Sequence, residues 1–284
     1  MLAKVYGNLC NRCRLLFDAR YLTAMERLKT IGAFHILPAV DSALTSRITE
    51  RDGVDCLSIG KYNLSFETPY AIVKKESFHA GVSQVVRESF VFPELFSSKV
   101  NVRSGDTVMD LGACFGTTAL VFSELAGPSG KIIAVEPIMY QAVRANMERN
   151  DVRNVTVIPQ GVSDKKGRTV IEVGDYCLDS SMAAREYTKE YYSHKMEIEL
   201  TTIDDLAEEL KLDRLDFIKI DIEGVEELAI RGAERVIKKF KPKWSVSSYH
   251  VDYANEPQHR KLAVLLKKFG YRISERDSKH IFAW

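Results

Sequence analysis

The chain is predicted to fold as an α/β protein, built on an open and mostly parallel sheet with helices on both faces. Three observations predict this. Val108-Met-Asp-Leu-Gly-Ala-Cys-Phe-Gly116 reads as a buried strand that breaks into a glycine-bearing turn and then a helix. Ile133-Ala-Val-Glu136-Pro137 reads as the next strand, ending in a carboxylate twenty residues beyond Gly116. From about residue 105 onward, apolar strands alternate with helical patterns, as crossover connections require.

Taken in order, residues 1–50 are mostly helical by pattern, with Leu15, Leu16, Phe17, Tyr21, Leu22, Met25 and Leu28 at mixed three- and four-residue steps. Residues 54–73 alternate like a small β-hairpin, broken near Gly60-Lys61. A helix is expected over 79–100. Strands follow near 106–111, 131–136, 155–158, 216–222 and 243–249, and helices near 117–126, 138–150, 224–239 and 257–268. The first of these helices stops at Gly127-Pro128. Thr202 stands three residues before Asp205 and opens a short helix. Tyr271-Arg-Ile-Ser274 and His280-Ile-Phe-Ala-Trp284 form a closing antiparallel hairpin. A dinucleotide-binding dehydrogenase domain would carry a sixth parallel strand there. The expected order of the seven strands is 3-2-1-4-5-7-6. The chain divides into an N-terminal helical and β-hairpin extension, 1–100, and a catalytic domain, 101–284.

The 284 residues are 45% hydrophobic and 28% charged, as in a water-soluble globular chain. Net charge is +1 and the basic residues are scattered, which disfavours nucleic acid as a partner. No run of eighteen apolar residues predicts a transmembrane helix. Five cysteines (10, 13, 56, 114 and 177) are odd in number and lack framework spacing, so a reducing cytoplasm is the expected location. Peripheral membrane contact and homo-oligomerisation stay open.

Chemistry concentrates at the carboxyl edge of the predicted sheet, where ligands of open α/β folds bind. Asp110, Gly112, Ala113 and Gly116 lie in a turn that brings backbone close to a ligand. Glu136 is placed to receive two ribose hydroxyls. Ser163 and Asp164 follow the third strand, where an adenine amino group would need an acceptor. Asp221 and Glu223 emerge at the tip of the fourth strand, and His250 follows the fifth. Two carboxylates there can accept a proton, hold a cation or meet an ammonium group, and a histidine can act as a general base near neutral pH. Mg²⁺ on Asp221 and Glu223 stays open, although no metal ligand is assigned.

Residues about 105–250 resemble FkbM-type S-adenosylmethionine-dependent methyltransferases. The resemblance is carried by Val108–Gly116, Val135-Glu-Pro137, Asn146 with Asn150, Thr201-Thr-Ile-Asp-Asp-Leu206, and above all Phe217-Ile-Lys-Ile-Asp-Ile-Glu-Gly224, with Ser247-Ser-Tyr-His250 seen in part of the family. The glycine loop departs from D-x-G-x-G-x-G at its third landmark, where Cys114 stands for glycine. The resemblance implies a Rossmann-like class I methyltransferase sheet and S-adenosylmethionine as cofactor. It implies O-methylation of a hydroxyl on a sugar, a lipid-linked or a small-molecule acceptor. In that reading Asp110, Gly112, Ala113, Gly116, Glu136, Ser163, Asp164 and Asp221 hold the cofactor. Asp221, Glu223 and His250 are the catalytic residues. Acceptor contacts are expected from the first hundred residues and from 174–197. The competing readings are a non-catalytic cofactor-binding module, a methyltransferase acting on another acceptor such as RNA, and a nucleotide-dependent oxidoreductase.

Overall fold

The computed structural model describes residues 37–72, 74–91, 100–174, 180–181, 192–252, 256–276 and 279–284. The apolar stripe from Leu15 to Leu28, Cys10, Cys13, Cys177 and most of the aromatic segment within 174–197 lie outside the described residues.

The described chain opens with helix α1 (Leu37–Thr45) and an antiparallel three-stranded sheet, β1 (Thr49–Arg51), β2 (Val54–Ile59) and β3 (Tyr62–Ser65). The expected hairpin therefore gains an edge strand. Helix α2 (Lys75–Val86) runs into a wider π turn, Arg87–Val91, whose Arg87 Nε donates to Asp41 Oδ1 at 2.7 Å. Such single π turns often mark functional sites.

The main sheet comprises β4 (Thr107–Leu111), β5 (Lys131–Val135), β6 (Val155–Ile158), β11 (Phe217–Ile220), β12 (Lys243–Ser247), β13 (Ile273–Arg276) and β14 (His280–Ala283). They lie in the order β6-β5-β4-β11-β12-β14-β13, all running the same way except β14, which is antiparallel to both its neighbours, β12 and β13. Numbered within the sheet, this is the expected 3-2-1-4-5-7-6. Alternation along each strand divides the core between the two faces. Val108, Ile132, Ala134 and Phe217 join one cluster, and Met109, Ile133, Ile218 and Trp244 join the other. The central strands are mainly apolar because both faces are covered, with Asp110 on β4 and Lys219 on β11 as a buried pair. Helices α3 (Thr117–Ala126) and α4 (Tyr140–Arg149) cover the first face. Helices α5 (Ile203–Glu209), α6 (Glu226–Arg231), α7 (Glu234–Phe240) and α8 (His259–Lys268) cover the second.

The single helix expected over 224–239 is instead two, α6 and α7, with a break at Gly232. A side chain at Gly232 would lie 2.3 Å from the Ser163 carbonyl oxygen. The Gly232 carbonyl accepts instead from the Asp204 amide, at 2.9 Å. A neighbouring backbone therefore occupies the space and the hydrogen bond that a continuous helix would need.

The sequence reading assigned no second sheet between β6 and α5. The structure has one, ordered β7 (Gly161–Val162), β10 (Tyr192–Thr201), β8 (Gly167–Gly174) and β9 (Ser180–Ser181). Val162, Ile171, Val173 and Ile198 are its buried apolar residues. The extension packs on the α3–α4 face. Phe66 and Phe78 meet the ring of Phe115 edge-on, with centroids 5.1 and 6.1 Å away. Tyr62 hydroxyl meets the Glu124 carboxylate.

Candidate active site

A cavity of about 320 Å³ opens at the carboxyl ends of β4, β5 and β11, within the size range of small-molecule sites. Its floor is the turn after β4. Gly112 has φ +78°, and a Cβ there would lie 1.9 Å from the Asp221 carbonyl oxygen, so only glycine fits. Cys114 also lies in the left-handed region, at φ +51°. The landmark glycine it replaces would adopt that conformation at no steric cost. Gly116, at φ +79°, opens α3 against Val143 and Met147.

Glu136 ends β5 and lines the cavity, 7% exposed. Its Oε2 accepts from the Cys114 amide at 2.9 Å, and its Oε1 from the amides of Ile138 and Met139 at 2.9 and 3.1 Å. Burial pushes its carboxyl above the usual range, while these three donors favour the charged form. A carboxylate has about four acceptor sites, so these three donors fix its orientation and leave about one site for a ligand hydroxyl.

Asp110 is fully buried and does not line the cavity. It accepts from Thr118 and lies 3.2 Å from Lys219 Nζ, its register partner on β11. Burial raises the Asp110 carboxyl, opposed by Lys219 and Thr118. Burial would lower the Lys219 ammonium, but the charges of Asp110 and Asp221 hold it above its ordinary value. Lys219 also donates to the Gly112 carbonyl at 2.7 Å, so this pair braces the turn from below.

Asp221, Glu223 and His250 meet at one end of the cavity. Asp221 and Glu223 line it, and the His250 ring lies behind them, 4% exposed. His250 Nε2 is 3.6 Å from Asp221 Oδ1 and 3.4 Å from Glu223 Oε1. Its Nδ1 is 2.8 Å from Glu226 Oε1. Glu226 is fully buried and accepts from the amides of Ile222 and Gly224 and from Gln258 Nε2, the last at 2.7 Å. Burial opposes charge on Glu226, but His250, Gln258 and backbone donors hold its carboxyl below the ordinary value. Burial likewise opposes a charged ring at His250, and the Glu223 and Glu226 carboxylates outweigh it. Glu223 itself has φ +56°, an uncommon conformation outside glycine and one found at functional turns. Tyr249, 48% exposed, stands over the His250 ring at 4.2 Å between centroids.

The structure thus brings Gly112, Ala113, Glu136, Asp221 and Glu223 onto one cavity wall, with His250 directly behind. Asp110, Gly116, Ser163 and Asp164 stand off it. Ser163 hydrogen-bonds Asp164 at 3.2 Å and follows Val162, which does line the cavity. The sequence reading missed Glu226, Gln258 and Lys219. A lysine inside the apolar run Phe217–Ile220 demands a buried acid, and Asp110 on the neighbouring strand is that acid. Also unassigned by residue were Gln84, Val85, Glu88 and Ser89 of the extension, which form the opposite wall. Among the described residues, no helix is long and apolar enough to cross a membrane.

The methyltransferase FkbM domain profile matches residues 110–273. The methyltransferase sdnD of Sordaria araneosa is 22% identical over 200 residues, covering 59% of this chain and 76% of that one. A protein-L-isoaspartate O-methyltransferase of Methanococcoides burtonii is 38% identical over 61 residues, 21% of this chain and 30% of that protein. A solved methyltransferase FkbM from Methylobacillus flagellatus superimposes with a TM-score of 0.46 at 19% identity, over 88% of this chain and 59% of that one. The chain therefore spans less than two thirds of that solved chain. With more than half of its length matched by the domain profile, the chain belongs to the FkbM family of S-adenosylmethionine-dependent methyltransferases.

Proposed function

We propose that the protein O-methylates a hydroxyl of a sugar, a lipid-linked or a small-molecule acceptor, with S-adenosylmethionine held in the cavity along the turn after β4. The observation that carries this reading is the convergence of Asp221, Glu223 and His250 on the end of that cavity. The residues present fit the cofactor. Glu136 offers its remaining acceptor site to a ribose hydroxyl, and the side chains of Ile138 and Val162 offer an apolar wall for a flat ring. Asp221 Oδ1, buried and without a hydrogen bond, offers a counter-charge to an ammonium group. When bound, S-adenosylmethionine supplies an electrophilic methyl group on a sulfonium.

The chain's own work is then positioning and proton management. Gly112 and Ala113 set how closely backbone approaches the ligand. Glu223 takes the acceptor's hydroxyl proton, with the His250 ring beside it held in place through Glu226. Base N-methylation is disfavoured because the β11 tip reads Asp221-Ile-Glu-Gly224 and lacks the Pro-Pro-aromatic segment that stacks a base.

The first test is calorimetry with S-adenosylhomocysteine and, separately, NAD⁺, on wild type and Glu136→Ala. Micromolar binding of the first, lost in the variant, is expected. Radiolabelled methyl transfer to a panel of hydroxyl acceptors and to RNA then follows. Label found only in RNA, or NAD⁺ binding in place of S-adenosylhomocysteine, would overturn the reading. Cofactor binding with no turnover on any acceptor would favour a non-catalytic module.

A further inference from the structure

The cluster at the end of the cavity is an unbalanced one. Asp221, Glu223 and Glu226 surround one imidazole, and the buried Lys219 is already held by Asp110. Even with the ring protonated, three carboxylates and one cation leave a surplus of negative charge in a largely buried place. Such a surplus is costly unless a further cation meets it.

The distances say where that cation belongs. Charge-assisted hydrogen bonds run at roughly 2.7–2.9 Å. His250 Nε2 stands 3.4 and 3.6 Å from the two carboxylate oxygens it faces. Both His250 Nε2 and Asp221 Oδ1 are buried and make no hydrogen bond. Two ligand atoms each about 2.1 Å from one ion and about 110° apart lie about 3.4 Å from each other, which is the spacing found. The other side of the ring is also arranged as in metal sites. Nδ1 bonds to Glu226, itself fixed by Gln258 and two backbone amides, so Nε2 is the atom presented to Asp221 and Glu223. A carboxylate on the far ring nitrogen is the usual support of a metal-binding histidine.

We propose that Asp221, Glu223 and His250 bind one divalent cation at the rim of the cavity, where an acceptor oxygen would complete its coordination. The three potential ligand atoms lie within 4.8 Å of one another. One imidazole nitrogen with two carboxylates suits Mn²⁺ or Zn²⁺ better than Ca²⁺, which takes six to eight oxygens. This inference rests on the reading of the cluster as the acceptor end of the site. It makes His250 a ligand, turns Asp221 Oδ1 from the cofactor's ammonium group to the ion, and leaves the proton to the second carboxylate oxygen of Glu223.

The probe is Mn²⁺ alone, followed by electron paramagnetic resonance and calorimetry on the full chain without cofactor. One Mn²⁺ per chain is expected, displaced by Zn²⁺ and not by equimolar Ca²⁺. Affinity should fall by at least about tenfold in Glu223→Gln and in His250→Gln. Glu223 is partly exposed, so its variant decides the matter if the buried histidine variant fails to fold. No saturable 1:1 binding to the folded protein up to about 1 mM overturns the proposal. So does binding that is unchanged in Glu223→Gln. S-adenosylhomocysteine is titrated into the same sample. Its binding without Mn²⁺ removes the cation and leaves the methyltransferase reading. Mn²⁺ binding without it supports the cation and removes the cofactor assignment.

Discussion

Replacing Gly112 by alanine tests the closest backbone approach in the site. The turn after β4 crosses the tip of β11 so tightly that the new methyl group would lie 1.9 Å from the Asp221 carbonyl oxygen and 3.2 Å from Ile222 Cγ2. Two costs add. A left-handed conformation costs a non-glycine residue about 1–2 kcal/mol. Forcing apart packed groups costs about 1–3 kcal/mol more. Alanine restricts the unfolded chain and returns about 0.4–1 kcal/mol. The net loss is about 2–4 kcal/mol, equivalent to a melting temperature lower by roughly 4–12 °C in a chain of this size. Because the displaced carbonyl belongs to Asp221, cofactor binding should weaken as well. The assays are thermal unfolding by circular dichroism and S-adenosylhomocysteine calorimetry. Gly167→Ala is the control, since nothing lies within 4 Å of a Cβ there. If Gly112→Ala melts within about 1 °C of that control and binds as tightly, the crossing of turn and strand tip is wrong.

Other substitutions probe separate supports. Lys219→Met should cost about 3–5 kcal/mol by leaving Asp110 charged and alone, and adding Asp110→Asn should recover part of the loss. Urea unfolding of the single and double variants checks this, and strict additivity would refute the pairing. Asn146→Ala should cost about 2–4 kcal/mol, because it strands the Ser65 amide and the carbonyls of Ser65 and Phe115, all bonded to it within 2.9 Å. Limited proteolysis should then cut the β2–β3 hairpin sooner. Cys114→Gly should fold within about 1 kcal/mol of wild type, whereas Cys114→Val should lose about 1–2 kcal/mol, since β-branched residues tolerate φ +51° badly. Equal stability of those two variants, measured by urea unfolding, would show that the turn is not left-handed there.

The sheet was legible because its strands carry the signal twice. Ile132–Val135 is apolar on both faces, Val108–Leu111 and Phe217–Ile220 are so except for the paired Asp110 and Lys219, and the closing hairpin announces itself by two short runs around a polar turn. The second sheet escaped although its alternation is present in Met196, Ile198 and Leu200. One face of that sheet is solvated, as with Val170 at 52% exposure, so its runs look like any polar excursion. In the site, residues that line the cavity came from motif positions at strand ends. Those that hold them did not. Glu226 and Gln258 act through a buried network that joins residues 32 apart, and no local spacing reveals it. Asp110 was read as a ligand contact, while its buried place against Lys219 makes it a brace for the turn.

The wall formed by Gln84, Val85, Glu88 and Ser89 ties occupancy of the cavity to the integrity of a segment that precedes the whole parallel sheet in the chain. Any ligand that touches both walls binds only when α2 and its π turn are docked, and so stabilises that docking by mass action. Ligand affinity and the opening of this segment become two readings of one equilibrium. Hydrogen exchange at the amides of 81–90 should slow with increasing ligand while the interior of β4 and β5 stays unaffected. A fragment beginning near residue 101 would keep the turn, Glu136 and the acidic cluster. It would nonetheless present Phe115, fully buried in the intact chain, to water on the face where Phe66 and Phe78 of the extension now pack.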